Sequence, residues 1–263
     1  VLLLPRKPKK RLGQYFLTSA KIAEYLVKVL DIKPKEEVLE IGAGTGILTQ
    51  RLCKYAKLVY AVEIDSELIP LLKENTQEYQ NLIIINKDIL KLNWKQYHNL
   101  KVIGNIPYYL SSKILKLLIL QRTHWHSALL TLDEAIAQKL LAQPPSSKSS
   151  LIGVLLELYT EKKKIIKIPR SKFYPVPNTN SIAILFTKRA VPLFTGIDYQ
   201  ILEKIITLSF KYPRKTLANN LKCLVPIYQT KLSALPLLNR RAEEITIKDF
   251  YLLAQELAHY INR

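Results

Sequence analysis

Val38-Leu39-Glu40-Ile41-Gly42-Ala43-Gly44-Thr45-Gly46 runs from an apolar, β-prone stretch into three alternating glycines, and Leu48–Tyr55 follows with helical periodicity. The order is strand, glycine-rich turn, helix. A turn of this kind lets backbone approach a ligand where side chains would collide. Alone it says only that a strand feeds tightly into a helix, so the segments on either side have to decide the fold.

Downstream, Val59–Val62, Leu82–Ile85, Val102–Ile103 and Ala128–Leu132 are short apolar runs of buried-strand character. Glu67–Glu74 and Ser112–Ile119 lie between them with helical spacing. Strand alternating with helix predicts an α/β fold: a mostly parallel sheet covered on both faces. Upstream, Ser19–Leu30 places Ile22, Ala23, Leu26, Val29 and Leu30 on one helical face, with Ser19 as N-cap. Pro144–Ser150 is a polar, breaker-rich loop, after which Ile165–Ile168 and Ile182–Phe186 predict an antiparallel hairpin at the sheet edge. Beyond Lys188 the strands stop. Tyr199–Phe210, Arg214–Leu221 and Ile247–Ile261 are amphipathic, which sets residues 1–190 as the α/β domain and 191–263 as a small all-helical one.

The 263 residues carry 40 Lys plus Arg against 21 Asp plus Glu, a net charge of +19, with 48% apolar residues. Such a chain has enough apolar content for a core, and its charge predicts a polyanionic partner. No stretch approaches the roughly 20 apolar residues of a spanning helix; Ile114–Leu120 is interrupted by Lys116. The basic residues fall in Arg6–Arg11, Lys162–Arg170 and Lys211–Lys215 without a long amphipathic helix suited to lipid, so nucleic acid is favoured over a membrane. Cys53 and Cys223 sit in apolar or helical sequence and read as reduced, packed thiols, which points to the cytoplasm or an equivalent reducing space such as an organellar matrix. His124 and His126 have no Cys or carboxylate at metal-ligand spacing, so no metal site is expected. A chain that begins at Val1 and lacks Met reads as missing the initiating end of its product. Nothing in it suggests an obligate interface, and a monomer is expected.

The second strand ends in Val62-Glu63-Ile64-Asp65, and Glu63 stands 21 residues after Gly42, the offset of a carboxylate that grips ribose hydroxyls. Gly42, Gly44 and Gly46 form Gly-x-Gly-x-Gly, and Ile47 occupies the place of the dinucleotide fingerprint's last small residue. That favours S-adenosylmethionine over a dinucleotide. The third strand leads into Lys87-Asp88-Ile89, where Asp88 can accept from an adenine amino group beside Ile89. The fourth strand delivers Gly104-Asn105-Ile106-Pro107-Tyr108-Tyr109 to the same end of the sheet. An exocyclic purine amine is a poor nucleophile because its lone pair is delocalised into the ring. The Asn105 side-chain oxygen and the Ile106 or Pro107 carbonyl can accept both amine protons and localise that pair. Pro107 stiffens the turn, and Tyr108 offers a stacking face.

Lys9–Leu17, Glu40–Gly46, Val62–Asp65, Asn105–Tyr109 and Phe173-Tyr174-Pro175-Val176-Pro177 resemble, in order, the rRNA adenine N6-dimethyltransferase family, and most of all its small-subunit, KsgA-type branch. Pro213–Leu217 and Arg241–Ile245 extend the likeness into the helical segment and separate the chain from the antibiotic-resistance branch. The resemblance implies a Rossmann-like class I methyltransferase fold. It implies that Tyr15 and Leu17, with Gln14 beside them, contact the methionine portion of S-adenosylmethionine, and that Gly42 lies against it. Glu63 then holds the ribose, Ile64 packs on the adenine, Asp88 binds its amino group, and Asn105 bridges the methionine end and the target amine. Tyr108 stacks on the target adenine and Phe173 closes its other side.

The implied activity is double N6-methylation of two neighbouring adenosines near the 3′ end of small-subunit rRNA, on an immature small ribosomal subunit. Transfer would be an in-line displacement requiring no metal and no covalent intermediate. The resistance-type methylase of large-subunit rRNA is the nearest alternative, and a nucleic-acid-binding transcription factor on the same scaffold is another. The chain departs from the family at Asp133-Glu134-Ala135, where a Gln-Lys-Glu triplet is usual, and around Ser150–Gly153. Both lie on the RNA side of the expected pocket.

Overall fold

The computed structural model describes residues 8–9, 12–142, 145–146, 149–224 and 236–261. Of the basic arm, Arg6, Lys7, Lys10 and Arg11 lie outside the described residues, as do Pro144, Ser147 and Lys148 of the expected loop. The chain divides into two compact units, 1–137 with 161–188, and 138–160 with 189–263. One of the breaks between the units falls at Lys188–Arg189. Residues 138–160, assigned from sequence to the α/β domain, belong instead to the second unit.

In the first unit, β1 (Phe16–Leu17) precedes α1 (Ala20–Val29), whose Ser19 hydroxyl accepts from the Ile22 N–H as the expected N-cap. Then come β2 (Glu37–Ile41), α2 (Thr49–Leu52), β3 (Leu58–Glu63), α3 (Ile69–Asn75), β4 (Leu82–Asn86), β5 (Leu100–Asn105), α4 (Ser111–Leu120), β6 (Trp125–Asp133) and the first residues of α5 (Glu134–Leu141), which from Gln138 on counts with the second unit. The helix expected over Leu48–Tyr55 is confined to the four residues of α2. The second unit contributes α6 (Leu151–Tyr159), after which β7 (Thr160–Ile168), β8 (Phe173–Tyr174) and β9 (Ser181–Lys188) return to the first.

The seven-stranded sheet has the order β4-β3-β2-β5-β6-β9-β7. All five strands from β4 to β6 are mutually parallel. β9 runs antiparallel to β6, and β7 is outermost, so the expected edge pair is present. This is an α/β, Rossmann-like architecture with a mostly parallel sheet. The strand order reverses between β2 and β5, and ligands of such sheets bind at the carboxyl ends flanking that switch.

Leu26 and Val27 of α1, Leu30 at its end, and Leu48 and Leu52 around α2 pack with Val38, Val59, Ile103 and Leu129 in one core cluster. α3 buries Leu72 against Ala43 and Ala61. At Gly104 in β5 an added Cβ would meet the Ile41 carbonyl oxygen at 2.8 Å, so the strands beside the switch point leave no room for a side chain there.

The second unit adds α7 (Tyr199–Ser209), α8 (Leu217–Leu221) and α9 (Ile247–Ile261) to α6, around Leu202, Ile205, Ile206, Leu217 and Phe250. α8 begins at Leu217 rather than Arg214, because Thr216 is extended at the N-cap. The turn before it is held by the buried Asn220, whose Oδ1 accepts from the Tyr212 N–H at 2.9 Å while Nδ2 donates to the Tyr212 carbonyl at 3.1 Å. Cys53 is buried, and burial pushes its thiol up to about 12. Cys223 is exposed, not packed as expected, since it follows the last buried turn of α8.

Candidate active site

A cleft of about 830 Å³ opens at the carboxyl ends of β2, β3 and β5, all within the first unit. It is lined by Gln14, Tyr15, Gly42, Gly44, Glu63, Ile64, Asp88, Ile89, Asn105, Pro107, Tyr108 and Phe173. Twelve sequence positions as far apart as Gln14 and Phe173, two of them in the glycine turn, thus meet around one space. Leu17 lines a smaller adjoining cavity of about 310 Å³, which shares Phe16, Gly42, Gly44 and Asn105 with the main cleft.

The glycine turn and β3 are stitched together at the cleft floor. Gly42 and Ala43 N–H groups donate to the Val62 carbonyl at 2.9 and 3.1 Å. Gly44 has φ +57°, a conformation costly for any residue with a Cβ, and its N–H donates to Glu63 Oε2 at 2.8 Å. Glu63 Oε1 accepts the Asp65 N–H, also at 2.8 Å. Burial raises the Glu63 pKa, and these two N–H bonds work against the rise. The Ile64 N–H acts in the same direction.

Ile64 is 49% exposed over the cleft although it is apolar. Asp88 Oδ1 accepts the Leu90 N–H at 3.0 Å and caps the turn Ile89–Lys91, a bond that does not use Oδ2.

Asn105 closes β5. Its Nδ2 donates to the Tyr15 carbonyl at 2.7 Å. A carbonyl can only accept, so this contact fixes the amide with Oδ1 as the remaining acceptor. The Pro107 carbonyl already accepts the Leu110 N–H at 2.9 Å. Tyr108 is half-buried, with its hydroxyl 3.1 Å from Ser181 Oγ and its ring 5.4 Å from that of Tyr15. Burial raises its pKa. Phe173 is buried in the same core cluster as Leu17 and Ile168 while it also forms cleft wall.

Two features were not anticipated. β1 pairs antiparallel with β8, Leu17 opposite Phe173, and so brings the segment before α1 to the cleft; two-residue strands carry no periodicity to read. Asp65 is the second. It is 5% exposed, yet Lys9 Nζ lies 2.7 Å from Oδ1 and Gln14 Nε2 donates to Oδ2 at 2.7 Å. Burial would raise the Asp65 pKa, but the Lys9 and Gln14 bonds outweigh it and the pKa falls. The Gln14 amide, expected beside the cofactor, is spent on Asp65 and on the Lys9 N–H.

The altered triplet has defined local roles. Asp133 Oδ1 accepts the Ala135 N–H at 2.8 Å, and Glu134 pairs with Lys167 at 2.7 Å. Ser150 caps α6 by accepting from the Gly153 N–H. His126 Nε2 lies 3.3 Å from Glu36. Among the described residues, no group of three or more His, Cys, Asp or Glu is placed to share a metal ion, and no helix is long and apolar enough to cross a membrane.

The family profile described as ribosomal RNA adenine dimethylase matches residues 6–259. The chain belongs to this family. Members similar to it include the ribosomal RNA small subunit methyltransferase A of Bacillus cytotoxicus, 33% identical over 95% of this chain and 91% of that protein. The protein of the same name from Staphylococcus aureus is 33% identical over 94% and 89%. Among solved structures, a dimethyladenosine transferase from Plasmodium falciparum superposes with a TM-score of 0.80 at 24% identity, covering 93% of this chain and 98% of that one. The 23S rRNA methyltransferase ErmE gives 0.74 at 23% identity, covering 92% and 99%. These two likenesses establish the fold. Family membership makes the chain an rRNA adenine dimethyltransferase, and the cleft at the switch point is its candidate active site.

Proposed function

We propose that the protein uses S-adenosylmethionine to dimethylate N6 of two adjacent adenosines near the 3′ end of small-subunit rRNA, acting as a monomer on an immature small ribosomal subunit in the cytoplasm or an equivalent compartment. The observation that carries the chemistry is the Asn105–Tyr15 hydrogen bond, which leaves Asn105 Oδ1 as an acceptor at the cleft. The choice of subunit is supported by the relatives named small subunit methyltransferase A.

The cleft residues fit an adenosyl group. Glu63 has lone pairs for vicinal hydroxyls, exposed Ile64 gives an apolar platform, Asp88 Oδ2 suits an exocyclic amine, and Gly42 and Gly44 leave backbone bare beside it. When bound, S-adenosylmethionine supplies an electrophilic methyl group on a sulfonium. Asn105 Oδ1 and the Ile106 carbonyl accept the two protons of the target amine, which localises the nitrogen lone pair. The Pro107 carbonyl is engaged by Leu110, so Ile106 is the better second acceptor. Tyr108, fixed through Ser181, supports the flipped base, and Phe173 forms the wall behind it. The amine proton is lost to water, so the site needs positioning rather than a strong base.

The basic turn Lys211–Lys215, pinned by Asn220, and the exposed Lys163, Lys164, Arg170 and Lys172 supply cations for RNA phosphates. Transfer of labelled methyl to small subunits, large subunits and naked rRNA in parallel tests the reading. Label confined to unmethylated small subunits supports it; label in the large subunit selects the resistance-type alternative. No transfer despite cofactor binding would indicate a scaffold kept for binding nucleic acid.

A further inference from the structure

Lys9 and residues 12–18 form a strap across the carboxyl ends of β3 and β5. At one end Lys9 Nζ pairs with Asp65 Oδ1 at 2.7 Å and with Glu67 at 2.8 Å, while Gln14 donates to Asp65 Oδ2 and accepts the Lys9 N–H, both at 2.7 Å. At the other, the Thr18 N–H donates to the Lys172 carbonyl at 2.8 Å and Phe16–Leu17 pair with Phe173–Tyr174. Between them the Tyr15 carbonyl receives Asn105 Nδ2.

The path from Asp65 to Asn105 is therefore two hydrogen bonds and one step of chain: Asp65 to Gln14, Gln14 to Tyr15, Tyr15 to Asn105. It begins beside the ribose carboxylate, because the Asp65 N–H donates to Glu63 Oε1. A carboxylate this buried is costly unless fully paired, and each oxygen of Asp65 has its shortest bond, 2.7 Å, to the strap. The Glu67 N–H bond to Oδ1, at 3.2 Å, is the local turn cap. A residue needed only for that cap could sit exposed.

We propose that Asp65 is a positioning residue for methyl transfer: by clamping Lys9 and Gln14 it holds the strap so that the Tyr15 carbonyl orients the Asn105 amide for the target amine. The inference rests on the role given to Asn105 above. Asp65 acts through the strap, not on the cofactor, so its loss lowers the transfer rate more than the cofactor affinity. Displacement of reacting groups by about 1 Å is enough to cost on the order of 100-fold in rate.

The test uses the full-length protein with Asp65→Ala, Asp65→Asn and Gln14→Ala. Hydrogen exchange of the peptide spanning residues 12–18 reports the strap without reference to activity. Single-turnover methyl transfer to small-subunit rRNA and calorimetric binding of S-adenosylmethionine report rate and affinity separately. Asp65→Ala is expected to speed exchange in that peptide at least about tenfold and to slow transfer by about 10- to 100-fold, with cofactor Kd changed less than about threefold. Asp65→Asn, which can still accept from Gln14 but cannot pair with Lys9, should fall between. Gln14→Ala should reproduce the slow transfer, and the double variant should be no worse than Asp65→Ala alone.

Unchanged exchange in Asp65→Ala overturns the proposal, as does a loss of rate matched by an equal loss of affinity. If the wild-type protein methylates no RNA, the functional reading fails by itself, and hydrogen exchange still decides whether Asp65 clamps the strap.

Discussion

The Asn105 side-chain nitrogen lies 2.7 Å from the Tyr15 carbonyl oxygen, so a residue at the end of the fourth parallel strand is oriented by backbone 90 positions earlier in the chain. The amide oxygen is thereby left as the acceptor of this side chain, the role proposed for it toward the target amine. Asn105→Ala should reduce methyl transfer by about 100- to 1,000-fold, the usual cost of losing one preorganised polar partner of a reaction. Circular dichroism and melting temperature should stay close to wild type, since the side chain is only partly buried.

Ile64 presents nearly half of its surface over the cleft. Its truncation therefore costs little in folding, while the proposed role as apolar platform for a bound adenine would be lost. Ile64→Ala should weaken S-adenosylmethionine binding by about 1 kcal/mol, near fivefold in Kd, with unchanged stability. Calorimetric titration and thermal melting of the same sample measure both.

Glu40 lies beneath the glycine turn, 1% exposed, with Thr49 Oγ1 donating to it at 2.6 Å. Burial pushes its pKa up to about 8 from an ordinary 4.5, against the opposing effect of the Thr49 bond. Between those values the folded protein holds a proton that the unfolded chain releases, so this group's contribution to stability falls as pH rises through the window. Glu40→Gln removes the titration while its amide oxygen can still accept from Thr49. The variant should melt at nearly the wild-type temperature at pH 4 and above it at pH 8; an equal offset at both would contradict the assignment.

Gly104 shows how tightly the switch point is built. A Cβ there would stand 2.8 Å from the Ile41 carbonyl oxygen and 2.8 Å from Ile106 Cδ1, so Gly104→Ala should destabilise the protein by about 1–3 kcal/mol. Urea denaturation gives the difference directly.

The parallel strands were readable because each is a buried apolar run bounded by turn residues, and Ser19 was readable as a cap because its side chain does local work. The cleft was readable for a related reason: Gly42, Glu63, Asp88 and Asn105 each sit at the end of a strand or just beyond it, so their positions follow from strand order. The strap was not. Phe16–Leu17 and Phe173–Tyr174 are too short for a pattern, and they pair across more than 150 positions. Asp65 was quoted with Glu63 as one acidic motif, and only the fold separates a carboxylate bonded to Gly44 from one bonded to Lys9 and Gln14. Assignment of residues 138–160 to the helical unit escaped for a different reason, because Val154 and Leu158 find their core partners in Leu202 and Phe250, far along the chain.

The central claim is tested most directly by mass-spectrometric mapping of small-subunit rRNA after reaction of unmethylated small subunits with the protein and S-adenosylmethionine. The account predicts two adjacent adenosines near the 3′ end, each carrying two methyl groups on N6. Methylation at a single adenosine, at another position, or only in large-subunit rRNA would contradict it.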